Sequence, residues 1–324
     1  MVQIVVTYDA EDVERKILNE ALGEIARLVF LVDLRPDERA KALASADILL
    51  SWSLKRELRP EEFTIIAKVR MVQLLSAGAD QVSFSQLPTG LMVASNVGAY
   101  AEQMAEHVLA MILALEKHLI DRYNKLRKGE FDQVNPNRML RGSSCAILGF
   151  GGIGKATARL LRCFGVRIYA INRTGTTTEP VEFIGTTKDL EKVLRLVDIV
   201  IISLPLTNST RGLIGKHQLD WMKDDAILIN VARGEIVDEA ALYEKLKSHS
   251  NFMAGIDTWW SEPHKDGQFR TNYPFLELPN VIGSPHNSAI VPDAMLNATK
   301  RAAENVKRFL NGERPIGIVG DDAR

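Results

Sequence analysis

Four residues of this 324-residue chain combine types and placements that suit chemistry: Arg233, Asp257, Glu262 and His286. Three of them follow apolar runs of strand character. Ala226–Asn230 runs into Val231-Ala232-Arg233-Gly234, Phe252–Ile256 into Asp257, and Val281–Gly283 into Ser284-Pro285-His286. Continuous apolar runs of this kind make strands buried on both faces of a parallel sheet, whose carboxyl ends lie along one edge. Arg233 offers a planar fork for a carboxylate and an adjacent carbonyl oxygen. His286 can exchange a proton near neutral pH. Glu262, if paired with it, favours the imidazolium form and raises the histidine pKa by charge attraction. Such a set binds an anion and moves a proton.

A second pattern lies upstream, in Ser144–Gly154, which reads SCAILGFGGIG. Cys145–Leu148 has the character of a buried strand. It breaks into Gly149-x-Gly151-x-x-Gly154, enclosing Gly152 and Ile153, and continues as KATARLLRCFG with Ala158, Leu161 and Phe164 at helical spacing. Strand, glycine turn and helix together make this spacing a dinucleotide-binding signal. Gly149 permits the tight turn, Gly151 lets backbone approach a pyrophosphate, and Gly154 lets the helix pack on the strand. The phosphates then rest on the open N–H groups of the helix start. The next strand, Arg167–Ile171, ends in Asn172-Arg173-Thr174. An acidic residue about 20 positions past the glycines would hold a ribose hydroxyl pair. Its absence, with Arg173 in place, suits a 2′-phosphate, so NADP(H) is expected to be preferred and NAD(H) possible. Leu204, Pro205 and Thr210 follow the strand Asp198–Ser203, and with Val231 and Ala232 they complete the candidate cofactor contacts on that edge.

The elements that must position these residues form two α/β regions. Residues 1–98 alternate strand candidates (Gln3–Thr7, Ala26–Leu31, Asp47–Ser51, Met71–Ser76, Leu91–Ala94) with helical stretches such as Asp9–Leu22 and Pro36–Ser45. That alternation predicts a parallel sheet covered on both faces. At its strand ends, Ser76-Ala77-Gly78 can offer backbone amides to a carboxylate, and Trp52 shares that rim. Tyr100–Lys128 carries apolar residues at helical spacing and predicts one long helix bridging two domains. The net charge of −1 gives no electrostatic reason to expect nucleic acid or an anionic membrane. No apolar stretch reaches spanning length. Cys145 and Cys163 are too few for a disulfide framework, and no His or Cys cluster has metal-ligand spacing, so no metal is expected. With no charged leader before the first strand, a cytoplasmic location is expected. The other histidines, His107, His118, His217 and His249, read as ordinary helix residues, and His264 is the one rival to His286.

These motifs together resemble the D-isomer-specific 2-hydroxyacid dehydrogenase family over nearly the whole chain. The family's glycine motif matches Gly149–Gly154, and its Asn-x-Ala-Arg-Gly matches Asn230–Gly234. Its Asp followed five positions later by Glu-Pro matches Asp257 and Glu262-Pro263. Its Pro-His matches Pro285-His286, and its closing helix resembles Ala303–Pro315. The resemblance implies two doubly wound parallel-sheet domains, a Rossmann coenzyme domain (99–286) inserted into a flavodoxin-like catalytic domain (1–98 plus 287–324), with the active site in the cleft between them. It implies that Arg233 binds a small 2-oxo or D-2-hydroxy acid such as glyoxylate or hydroxypyruvate, that His286 is the acid/base and that Glu262 tunes it. It further implies that Asp257 holds the nicotinamide carboxamide, that Ser76–Gly78 bind the substrate carboxylate, and that two copies pair through about 120–142. Hydride transfer from phosphite or formate, and a dinucleotide-sensing role, are alternatives that the same family scaffold supports. The chain stops at 324, which on this resemblance leaves no room for the regulatory domain of many phosphoglycerate dehydrogenases. Three stretches depart from the family pattern: Asn287-Ser288-Ala289, the polar run after Pro263, and Trp259-Trp260, whose bulk is expected to narrow the substrate pocket.

Overall fold

The computed structural model describes residues 1–320, apart from the side chain of His264. It divides into two compact units: Met1–Tyr100 with Val291–Arg324, and Ala101–Ile290, inserted between those segments.

The first unit is built on five parallel strands, β1 (Val2–Val6), β2 (Ala26–Phe30), β3 (Ile48–Ser51), β4 (Met71–Leu74) and β5 (Met92–Ala94). Their order, β2-β1-β3-β4-β5, is that of flavodoxin-like sheets. Its inner strands β3 and β4 are wholly buried, as expected of a sheet covered on both faces, while the edge strand β2 is only partly so. The terminal helix Ala294–Leu310 returns to this unit, where Thr299 donates to Glu14 of the first helix at 3.0 Å.

The second unit holds seven parallel strands: β6 (Ser144–Leu148), β7 (Arg167–Ile171), β8 (Phe183–Gly185), β9 (Ile199–Ile202), β10 (Ile227–Asn230), β11 (Met253–Ile256) and β12 (Val281–Gly283). Their order is β12-β11-β10-β9-β6-β7-β8, a Rossmann arrangement in which the strand order runs outward in opposite directions from the β6–β9 pair. The register aligns Leu148 with Ile202, Ile202 with Asn230, Asn230 with Ile256, and Ile256 with Gly283. The residues that follow these five strands therefore leave the sheet level with one another. β8 gives no sequence signal, because three residues ending in glycine are too few to show a period.

The long helix expected over Tyr100–Lys128 is two helices, Ala101–Glu116 and Leu119–Arg127. His118 lies between them with φ 49°, a left-handed backbone that ends one helix and turns the chain into the next. The first of these helices belongs to the second unit and packs on the glycine helix, Gly152–Cys163, so its length does not make it a bridge. Phe164 falls beyond the glycine helix and is exposed, so only Ala158 and Leu161 of its expected face are buried. Among the described residues no helix is long and apolar enough to cross a membrane.

At the end of the helix Ala101–Glu116, the Glu116 carboxyl is buried with neither oxygen hydrogen-bonded, and Arg138 Nε stands 3.6 Å away. Burial pushes this carboxyl above its ordinary range, against the pull of Arg138 and Lys117. A carboxyl raised in the folded state binds protons more readily there than in the unfolded chain. Its contribution is full below the unfolded carboxylate pKa and is lost as pH rises through the folded value. Glu116→Gln should therefore raise the urea midpoint of the second unit near neutral pH. It should leave that midpoint unchanged in acid, below the ordinary glutamate pKa, which parallel denaturation curves would read.

Candidate active site

The glycine loop is dictated by close approach. Gly149 has φ 98°, and a Cβ there would lie 2.6 Å from the Ser203 carbonyl of the neighbouring strand end. A Cβ on Gly154 would lie 2.2 Å from Gly149 O, so the helix reaches the strand only because none is present. Gly151 differs. A Cβ there would meet no protein atom within 4 Å, so internal packing does not demand glycine at this position. The helix ladder opens with Lys155 N–H on Gly151 O at 3.0 Å, which leaves the N–H groups of Gly152, Ile153 and Gly154 outside it. An open glycine beside outward amides at a helix start fits a pyrophosphate.

Asn172 at the end of β7 is a loop former. Its Oδ1 accepts from Thr174 N–H at 3.0 Å and Gly175 N–H at 2.7 Å, while its Nδ2 donates to Thr176 O at 2.8 Å. The turn so made presents Arg173 to solvent, and no described residue pairs with its guanidinium. The Thr210 hydroxyl is likewise spent inside its loop: it donates to Pro205 O at 2.7 Å and accepts from Thr207 N–H at 2.8 Å. Leu204 packs against the core of the unit, and Val231 and Ala232 are buried.

Arg233 leaves β10 on a loop held by Asn230, whose Nδ2 donates to Arg233 O at 2.9 Å and whose Oδ1 accepts from Ala232 N–H at 3.1 Å. The next residue, Gly234, sits so close to the following loop that a Cβ would lie 2.4 Å from Trp259 C and 2.5 Å from Trp260 N. The Arg233 loop and the Glu262 loop are therefore packed backbone to backbone. In the latter, Glu262 is buried; Oε1 accepts from Trp259 N–H at 2.7 Å and Oε2 lies 2.7 Å from His286 Nδ1. His286 itself has φ 52°, and its N–H donates to Asp257 O at 2.9 Å. About a third of its side chain stays exposed.

Asp257 is wholly buried at the centre of this turn. Oδ1 accepts from the Ser284 hydroxyl at 2.6 Å and Asn287 N–H at 3.1 Å, and Oδ2 accepts from Ser288 N–H at 3.4 Å. One further side chain joins it that the sequence reading passed over. His107 Nε2, from the helix Ala101–Glu116, lies 2.9 Å from Ser284 Oγ. The available signal was its spacing: His107 falls three residues after Met104 and four before Met111, on that helix's buried stripe.

Trp259 and Trp260 turn inward. Trp259 is buried, its indole donating to Ser284 O at 2.9 Å; Trp260 donates to Val237 O at 2.7 Å and stacks on Phe275 with centroids 5.3 Å apart. Large aromatic rings seek apolar contacts and one polar partner each, and this core supplies both. The side chain of His264 lies outside the described residues. Among the described residues no group of three His, Cys, Asp or Glu side chains is placed to hold a metal ion.

In the first unit, Trp52 is 39% exposed and meets Tyr100 edge-on at 6.3 Å. Ser76 follows the end of β4, with its hydroxyl donating to Gly78 O at 2.8 Å. No acceptor among the described residues meets the N–H groups of Ala77 and Gly78, so both amides can serve an anion.

Comparison with known proteins identifies the scaffold. Residues 109–288 match the D-isomer specific 2-hydroxyacid dehydrogenase NAD binding domain. The chain is 31% identical to a glyoxylate reductase of Korarchaeum cryptofilum over 96% of its own length and 95% of that protein. It is 29% identical to a D-3-phosphoglycerate dehydrogenase of Methanocaldococcus jannaschii over 98% of its length, but spans only 59% of that longer relative. Among solved structures, a D-isomer specific 2-hydroxyacid dehydrogenase of Xanthobacter autotrophicus Py2, in complex with NADPH and MES, is 25% identical with a TM-score of 0.79, covering 98% of each chain. The chain therefore belongs to the D-isomer specific 2-hydroxyacid dehydrogenase family, as an oxidoreductase that uses a nicotinamide cofactor.

Proposed function

We propose that this protein reduces small 2-oxo acids of the glyoxylate and hydroxypyruvate class, with NADPH preferred to NADH, and oxidises the D-2-hydroxy acids in reverse. The observation that carries this reading is the 2.7 Å contact between His286 Nδ1 and Glu262 Oε2, on a turn fixed around Asp257. The name of the Korarchaeum cryptofilum relative supports the substrate class.

The nicotinamide, when bound, supplies hydride to C2 of the oxo acid or accepts it from the hydroxy acid. His286 carries the proton. With Nδ1 engaged by Glu262, Nε2 is the ring atom assigned to give a proton to the developing alkoxide, or to take one from the hydroxyl. Glu262 fixes the tautomer and complements the imidazolium present on one side of the reaction. Arg233 binds the substrate carboxylate and stabilises charge as it gathers on the carbonyl oxygen, an effect larger in the transition state than in the ground state. The amides of Ala77 and Gly78 offer a further carboxylate contact, with Trp52 on the same rim. Gly149–Gly154 hold the pyrophosphate, and Leu204, Pro205, Val231 and Ala232 flank it. Asp257 receives the carboxamide. Arg173, presented by the Asn172 turn and facing no carboxylate there, takes the 2′-phosphate.

Exposed apolar residues are densest on one stretch. Ile120, Tyr123, Phe131, Val134 and Met139 are all more than half exposed, on the helix Leu119–Arg127 and the loop after it. Apolar groups grouped in this way mark an association surface, and a second copy of this chain is its proposed occupant.

Absorbance at the nicotinamide band, with NADPH and then NADH against glyoxylate, hydroxypyruvate and pyruvate, tests the reading directly. Faster oxidation of NADPH is expected, and no oxidation with any acid would overturn the 2-oxo acid assignment. His286→Asn, which tolerates the left-handed backbone, should lower kcat by about 10²–10⁴-fold while NADPH still binds; retained turnover would mean another acid/base. Arg173→Ala should weaken NADPH by about tenfold or more and leave NADH nearly unchanged, as titrations of nicotinamide fluorescence would show. Ile120→Asp combined with Tyr123→Asp should convert a dimer to monomers in sedimentation, with the circular dichroism unaltered.

A further inference from the structure

We infer that His107 is a positioning residue for Asp257 and the His286 turn, acting through the hydroxyl of Ser284. The contacts form a directed chain. His107 Nε2 lies 2.9 Å from Ser284 Oγ, and Ser284 Oγ lies 2.6 Å from Asp257 Oδ1. A carboxylate only accepts, so the single proton of the Ser284 hydroxyl points at Oδ1. Ser284 Oγ can then only accept from the ring, which places a proton on His107 Nε2. The direct gap from His107 Nε2 to Asp257 Oδ1 is 3.8 Å, beyond a hydrogen bond, so the imidazole reaches the carboxylate through the serine.

The placement gives this chain mechanical purchase. One turn after His107, Met111 packs against β11: a Cβ on Gly255 would lie 3.1 Å from Met111 Sδ. The helix is thus seated two residues from Asp257 in the strand, and His107 projects from that fixed support. On its other side Asp257 gathers Asn287 N–H and Ser288 N–H, and its carbonyl takes His286 N–H. The turn that carries His286 is therefore tied to the sheet by Asp257 and to the helix by Ser284. Without the N–H of His107, Ser284 Oγ loses its donor and its hydroxyl is free to leave Oδ1. The carboxylate then loses its shortest hydrogen bond.

The inference rests on the proposed role of Asp257 at the carboxamide, so its test separates the two ends of the cofactor. NADPH binding is measured by nicotinamide fluorescence at equilibrium, and 2′-phospho-ADP-ribose, which lacks the nicotinamide, by calorimetry. His107→Leu should raise the Kd for NADPH about tenfold, the loss of one charge-assisted hydrogen-bond chain. It should leave the Kd for 2′-phospho-ADP-ribose within about twofold, showing that the fold and the glycine loop are intact. His107→Gln, whose side-chain amide can donate from a similar reach, should bring NADPH binding back to within about threefold of the original protein. Equal weakening by Leu and Gln, an unchanged NADPH Kd in the Leu variant, or a parallel loss of the nicotinamide-free fragment would each overturn the positioning role. Failure of the unaltered protein to bind both 2′-phospho-ADP-ribose and ADP-ribose would overturn the dinucleotide reading beneath it, and the role with it.

Discussion

Burial of one carboxylate sets the local shape of the active region. Asp257 is removed from water entirely, and no lysine or arginine pairs with it among the described residues. A buried anion without such a partner is tolerated only where hydrogen-bond donors converge on it. The chain after β12 supplies them by curling back: a hydroxyl from Ser284, then amides from Asn287 and Ser288. A curl that tight forces His286 into the left-handed region, at a cost of about 1–2 kcal/mol relative to an ordinary backbone. The strain is held in place because His286 N–H is itself bonded to Asp257 O. The same conformation turns the imidazole towards Glu262. The His286–Glu262 pair thus owes its geometry to the need to satisfy a neighbouring charge.

Backbone contact extends that constraint to Arg233. Gly234 admits the Trp259–Trp260 backbone at a distance no side chain would allow, and Gly283 admits the Trp259 ring, where a Cβ would lie 2.7 Å from Cζ2. The two indoles anchor the loop by donating to Ser284 O and Val237 O, one partner on each flanking segment. Arg233, Glu262 and His286 consequently stand on backbone fixed by residues to which the proposed chemistry assigns no part. Such support is what keeps a reacting constellation within a fraction of an ångström of its working arrangement.

Much of this was legible in the amino-acid sequence, and the divide follows from what a sequence pattern can report. Buried parallel strands such as Ile199–Ile202 announce themselves as unbroken apolar runs, and the residues that follow them must share an edge; hence the shared placement of Arg233, Asp257 and His286 past their strands was legible without coordinates. Periodicity reports which face of an element is buried, but it names no partners. The break at His118 was hidden because apolar spacing continues across it at Leu115 and Leu119, while the left-handed residue between them leaves no compositional mark. The direction of Trp259 and Trp260 was hidden for a related reason: bulk beside a site says nothing about orientation, which here is decided by Phe275 and two carbonyl acceptors. His107 looked ordinary because its partner, Ser284, lies far away in sequence and meets it only once the helix packs on the sheet.

The two ends of the proposed cofactor site are held by opposite physics, and this separates affinity from chemistry. At the β7 end, an exposed guanidinium rides on a turn that Asn172 closes with its own amide, in water and with no buried charge at stake. Interactions there are screened by salt and can change without moving any other element. At the β11–β12 end, a desolvated carboxylate is bound into a network shared with His286, so any change in its donors is transmitted to that residue. Coupling of that kind is strong because the interior offers no water to replace a lost partner. Preference for one dinucleotide over another can therefore drift at Asn172–Thr174 while the turn at Ser284–Ser288 stays fixed. The same sheet edge can keep one reaction while its cofactor choice varies.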